Sequence, residues 1–307
     1  MVDTIDVTQA QYFIPEIWAQ EALAILRANI VLTPRVYSDS DIGGSFSVGD
    51  VLHVPYPGVL AASPKTAGTA YTLAIPTGET EAQVTLSSHE AVSFIVEDIV
   101  RAQANQDLIR NYSQAAAIAL AEKIETDGFA EAVTNSADAI GAYGTALDFA
   151  DVLTAWQVLT DRKVPSGDRF MAVAPKDLVG LLSDTDIQNW LAFSRGNQAA
   201  SDPNNLGPLG GFAGVMASQL VPVTAATPTQ TNNIAWRRDG LICAFRALPD
   251  PPAGSGAVAA SVRDPESGVV LRSLLAYDAT YGGVRVTIEA LYGWQTLQAA
   301  KVLLVKS

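Results

Sequence analysis

The 307-residue chain has one cysteine, two histidines and few charges. Cys243 has no partner for an intramolecular disulfide, which fits a reducing compartment. His53, His89 and Cys243 lie in unrelated contexts and do not form a standard zinc set. The longest uninterrupted apolar run of the helical middle, 115–121, is far below the ~20 residues of a membrane helix. Gly-Lys-Ser/Thr occurs nowhere, so no Walker phosphate loop is present. The opening MVDTIDVTQAQ has neither the basic nor the apolar region of a secretory signal, and none is expected.

Basic residues are scarce as well. Lys and Arg number 19 against 32 Asp and Glu, a net charge of −13. Residues 1–150 hold 6 basic and 19 acidic residues (6 − 19 = −13), and residues 151–307 hold 13 of each. That balance argues against a protein that neutralises nucleic-acid phosphates or anionic lipid. Charged residues make up 17% of the chain, below the ~25% of an average soluble domain. Ala fills 48 positions. Sparse charge in a chain that is 49% hydrophobic excludes disorder and hints at surface covered by other subunits.

The pattern along the chain predicts a helix in IPEIWAQEALAILRANIV, with Ile14, Ile17, Trp18, Leu23 and Leu26 on its apolar side, ending at Thr33-Pro34. VLHVPYP reads as a strand, 58–70 as a Gly/Ala/Ser/Thr-rich tip, and YTLAI as the returning strand of a long hairpin. Such a hairpin needs something to pack on. Between 82 and 96, Val84, Leu86, Val92, Phe94 and Val96 share a strand face. A proline-free stretch from Glu97 to Thr134 predicts one very long helix. Its apolar side is read as Val100, Ala104, Leu108, Tyr112, Ala115, Ala119, Ile124 and Val133. Thr145 and Asp148 stand at capping-box spacing before an amphipathic helix. A buried strand at 169–174, a second helix from Leu178, loops at 195–214 and 247–261, and terminal strands complete the reading.

Catalytic patterns are sparse. Ser88, His89 and Glu90 adjoin, but neighbours in a strand diverge, so a surface or interface histidine is expected. Asp184/Asp186 and Glu79/Glu81 lack calcium-loop spacing and read as solvated acids. GPLGGFAG lacks lysine and reads as a mobile loop. No catalytic, cofactor-binding or metal-ligating residue is assigned, and no enzyme activity is expected. Lys65 is the sole charge of the hairpin tip: it either solvates the tip or contacts another subunit.

The order of elements, with FIPEIWAQEALAILRANIVL, GDVLHVPYPG, VSFIVEDIVRAQANQDLIRNYSQAAAIALAEKIETDGF, LTDRKVPSGDRFMAVAPKDLVGLL and IAWRRDGLICAFRAL, resembles the major capsid proteins of tailed bacteriophages, the Johnson fold shared with herpesvirus shells. The resemblance implies an α+β chain with an N-arm (1–48), an extended hairpin loop (49–82), a peripheral domain (83–140 and 266–307, spine helix 97–134) and an axial α/β domain (141–265). It implies self-assembly into pentamers and hexamers of an icosahedral head around double-stranded DNA. Scaffolding, portal and decoration proteins would be partners, and the chain would reside in the virion without membrane contact. Trp18, Arg27, Tyr56, Lys65 and Tyr71 are the implied intersubunit contact candidates. Encapsulin-type compartment shells share the fold and remain an alternative, as does an α/β enzyme with its site in 141–265.

Overall fold

The computed structural model describes residues 30–38, 51–56, 60–73, 80–99, 108–189, 205–252, 254–263 and 268–307. The predicted helix at 14–31, with Trp18 and Arg27, lies almost wholly outside them. So do the Gly43-Gly44 loop and residues 100–107 of the predicted long helix.

Two sheets and one long helix make the frame. The first sheet contains β1 (Tyr37–Ser38), β4 (Ser88–Glu97), β11 (Leu241–Arg246), β12 (Ala257–Arg263), β13 (Val270–Asp278) and β14 (Gly283–Thr296). β14 serves three partners: β13 and then β11 along one edge, β4 along the other. The second sheet runs in the order β5 (Asp138–Gly141), β15 (Val302–Lys306), β10 (Gln230–Arg237), β6 (Arg169–Val173), β8 (Phe212–Ala217), β7 (Asn205–Leu209). The two-residue strand β9 (Val223–Thr224) pairs with the start of β10. β2 (Val51–Tyr56) and β3 (Thr80–Thr85) pair with each other.

Helix α1 (Leu108–Thr134) has 27 residues, about 40 Å at ~1.5 Å per residue. It packs on both sheets at once. Ala117, Leu120, Ala121, Ile124 and Phe129 share one core with Ile288, Ala290 and Tyr292 of β14 and with Ile234, Trp236, Val302 and Leu304 of the second sheet. The period of two in strands divides the work. Ala235 of β10, with Leu303 and Val305 of β15, turns to the opposite face and meets Leu159 of α2 (Phe149–Asp161) and Leu178 and Leu181 of α3 (Pro175–Ser183). Covered on both faces, Ile234–Trp236 of β10 and Val302–Val305 of β15 are unbroken apolar runs. Complete burial of a Leu, Ile or Phe here contributes about 1.5–3 kcal/mol each.

Several expectations change. Of the apolar side read from sequence for α1, Ile124 is buried and Val133 packs against the core, but Tyr112, Ala115 and Ala119 are exposed; the buried side runs through Ala116, Ala117, Leu120, Ala121 and Ile124. Between Ala115 and Ala121 the helix is apolar all round, so periodicity there cannot select the packed side. The strand returning to β2 is β3, because Val51 pairs with Thr85 and Tyr56 with Thr80; residues 71–73, part of the expected strand YTLAI, are exposed coil. Alternation at 71, 73 and 75 alone supplies no hydrogen-bonding partner. The run 82–96 divides between β3 and β4, and even-numbered residues stay on the inner side through the break. The capping box is Asp148 with Asp151, three residues later than the expected pair: the Asp148 side chain accepts from the Asp151 N–H. The Gly-rich loop at 207–214 is a tight hairpin instead, with Gly210 (φ 57°) and Gly211 (φ 86°) joining β7 to β8.

One buried polar contact ties the N-terminal side of the chain to α1. The Glu125 carboxylate accepts the backbone N–H groups of Val31 (3.0 Å), Leu32 (2.6 Å) and Thr33 (2.8 Å) and the Thr33 hydroxyl (2.7 Å). Burial pushes this carboxyl above its ordinary range, and the four donors pull it partly back.

Two predictions follow from this packing. Ala117→Asp places an unpaired carboxylate in the shared core and should cost at least about 3 kcal/mol, whereas Ala119→Asp should fold normally; circular dichroism and denaturant midpoints of both variants check this. Glu125 holds a proton in the folded chain over a pH window where the unfolded chain has released it. Its contribution is therefore fully present below the ordinary glutamate range and declines as pH rises through the raised folded value. The wild-type melting midpoint should accordingly fall, relative to that of Glu125→Gln, as pH rises through this window. A difference that is flat or grows with pH would contradict it.

Candidate interaction surface

The hairpin is anchored at its base and bare at its tip. Val54 and Val84 pack on Ile242, Ala244 and Leu297, with Tyr37, Leu52 and Tyr56 around them. A Cβ at Gly293 would lie 2.0 Å from the Thr85 carbonyl oxygen, so β3 sits directly on the backbone of β14. Tyr56 is half-buried at this base, and its phenol is pushed up to about 12 by burial, then by Asp239 and by Tyr37. Asp239 itself accepts from Arg237 (2.5 Å) and Lys301 (2.5 Å). Tyr56 thus belongs to the seam between hairpin and sheet.

Beyond the base, every residue from 60 to 73 is exposed. Tyr71 is 79% and Leu73 89% accessible, far beyond what an isolated fold favours for such side chains. Lys65 folds back on its own segment. Its Nζ donates to the Thr66 carbonyl (2.8 Å) and to that of Thr69, and stands 5.1 Å from the centroid of the Tyr71 ring. The tip is therefore a locally bonded turn that presents Leu60, Tyr71 and Leu73 outward. The structure brings Lys65 and Tyr71 together and keeps Tyr56 apart at the base; Trp18 and Arg27 are outside the described residues.

Several groups weighed for chemistry make contacts within the fold, and Glu79 lies outside the described residues. His89 Nε2 lies 2.8 Å from Glu289, whose other oxygen meets Arg272 at 2.5 Å. His53 lies 3.3 Å from Glu81 on the exposed side of the hairpin. Asp184 accepts the N–H groups of Phe149 (3.0 Å) and Asp186 (2.9 Å), fixing the start of α2 to the end of α3. Among the described residues no cluster of three His, Cys, Asp or Glu could hold a metal, and no helix is long and apolar enough to cross a membrane. Sequence reasoning missed Asp177, buried at the first turn of α3, where it accepts from Asn233 (2.6 Å) and the Ser307 hydroxyl (2.6 Å). An Asp near a helix start reads as an ordinary solvated acid, so no local signal marked it.

If Lys65 only organises the tip, Lys65→Ala should leave the melting midpoint unchanged. Amide exchange across residues 60–73 should rise severalfold, read by hydrogen–deuterium exchange mass spectrometry. Unchanged exchange would remove the lysine from that role.

No family model matches the chain, and no curated protein matches it. Solved structures do. The capsid structure of cyanophage P-SCSP1u is similar over 90% of this chain and 87% of its own, at 16% identity and TM-score 0.61. A structure from Mycobacterium phage Che8 is similar over 90% of both chains, at 19% identity and TM-score 0.58. The virus-like particle of Pyrococcus furiosus is similar over 94% of this chain and 98% of its own, at 9% identity and TM-score 0.53. With α1 packed on two sheets and a hairpin anchored on the first of them, the chain has the mixed α/β fold found in phage capsids.

Proposed function

We propose that the chain is the major capsid protein of a tailed bacteriophage, a Johnson-fold subunit that assembles into pentamers and hexamers of an icosahedral head around double-stranded DNA. The observation that carries this reading is the near full-length likeness to phage capsid structures. The bare tip at 60–73 supports it, since a surface of that kind is stabilised by neighbours. In this reading residues 1–48 are the N-arm and 49–82 the extended hairpin loop. Residues 83–140 with 266–307 are the peripheral domain, and 141–265 the axial domain. Strands cross that last boundary: β15 joins the sheet of β6, β8 and β10, and β11 and β12 join that of β14. The two domains are thereby coupled through backbone hydrogen bonds. The role is mechanical and calls for no catalytic group. The partners are further copies of the chain, with scaffolding, portal and decoration proteins, and the site of action is the virion. A net charge of −13 fits enclosure of DNA without adhesion to it.

A compartment shell enclosing protein cargo is the second reading. The likeness to the Pyrococcus furiosus virus-like particle, over 98% of that chain, favours it. Negative-stain microscopy and light scattering of the expressed chain, with and without a scaffolding partner, should show shells or capsomers. A chain that stays monomeric under all these conditions overturns both readings. Nuclease-protected DNA inside shells formed during infection supports the head, and co-purifying protein cargo supports the compartment.

A further inference from the structure

The turn that leaves α2 contains two backbone positions that side chains normally avoid. Among the described residues, Lys163 (φ 60°) and Asp168 (φ 55°) are the only ones other than glycine with a positive φ. Lys163 closes the helix. Its N–H donates to the Thr160 carbonyl (2.8 Å), and the N–H of Val164 donates to that of Leu159 (3.1 Å). In this Schellman arrangement the left-handed position usually belongs to glycine. A Cβ there carries a steric cost, and lysine, unlike asparagine or aspartate, has no short polar side chain to offset it.

A buried cation holds the turn from inside. Arg169 is 1% accessible and meets no carboxylate among the described residues. Its Nε donates to the Pro165 carbonyl (3.0 Å), and its Nη1 to the Trp156 carbonyl (3.3 Å) and the Thr160 hydroxyl (3.0 Å). Nη2 donates to the Val164 carbonyl. At the far end, Arg237 Nε donates to the Gly167 carbonyl (3.2 Å) and the Arg238 N–H to that of Asp168 (3.0 Å). Apart from Val164, residues 163–168 are exposed. Neither the Lys163 ammonium nor the Asp168 carboxylate has a hydrogen bond or ion pair among the described residues.

Strained backbone held this firmly under two unpaired charges points to a use for those side chains. The charges have opposite signs, and the braced turn does not let them meet. An identical copy of the turn carries the complement of each. Residues 151–307 have 13 basic and 13 acidic residues, so no net charge of this half keeps two copies apart.

We propose that the turn at 163–168 is a contact between copies of this chain, in which Lys163 of one copy pairs with Asp168 of another. The proposal rests on the self-assembly read above and names one contact within it.

The test is the critical concentration at which the full expressed chain forms shells or capsomers, followed by light scattering. Lys163→Asp and Asp168→Lys, made singly, set like charges against each other and should raise it about fivefold, the weight of one surface ion pair. The double variant restores the pair with its signs exchanged and should return to the wild-type value. A role confined to the fold gives no reason for that rescue. Lys163→Gly should also raise the critical concentration, while the melting midpoint of the unassembled chain falls no lower than that of the wild type. Single reversals that assemble like the wild type overturn the proposal. So does a double variant no better than the singles, or a lowered midpoint in Lys163→Gly, which would assign the lysine to the fold. In those cases the wild-type shells are still formed and the capsid reading stands; a wild-type chain that never self-associates overturns both.

Discussion

The two sheets depend on one shared helix. α1 has Ile288, Ala290 and Tyr292 on one side of its packed face and Ile234, Trp236 and Leu304 on the other. Within this apolar contact sits a carboxylate, Glu125, with four hydrogen-bond donors arranged around it. Placing a carboxyl group in such a core is costly unless its oxygens are satisfied. Satisfying them fixes residues 31–33 on the helix. Where the N-terminal side of the chain enters the fold is thereby decided by electrostatics as much as by packing.

Strand exchange extends the same economy of contacts. β14 reaches from the hairpin base to the β13 turn and pairs with β4, β11 and β13 along its length. β15 is the inner strand between β5 and β10. Neither sheet can open without breaking ladder bonds contributed by a segment that also belongs near the other. Exposed large apolar side chains among the described residues are spread over the hairpin tip (Leu60, Tyr71, Leu73), α1 (Tyr112, Ile118), α2 (Leu153, Trp156), α3 (Val179) and the β13–β14 end (Tyr277, Tyr281).

Lys65 and Tyr71 were visible because a lone cation and an aromatic stand out in a stretch of Gly, Ala, Ser and Thr. Their meeting was not visible, since a cation–π contact depends on the turn at 66–69. Tyr56 was singled out as a contact to a neighbour, but its surroundings, Asp239 and Tyr37, come from segments nearly two hundred and about twenty residues away. The Glu289 pair to His89 likewise spans two hundred residues and has no local trace.

The sequence by itself determined which segments become strands and helices wherever the pattern is one-sided. The even-numbered positions of 82–96 and the buried run at Arg169–Val173 are examples. It also determined the element order that makes the capsid resemblance readable. Only the tertiary structure decided which strand returns to β2, which face of α1 is buried and how the two sheets share strands. Pairing and burial depend on a partner, and β3 with 71–75, or Ala117 with Ala119, are equivalent until that partner is in place. Local chemistry sets what a segment can bury; the rest of the fold sets what it does bury.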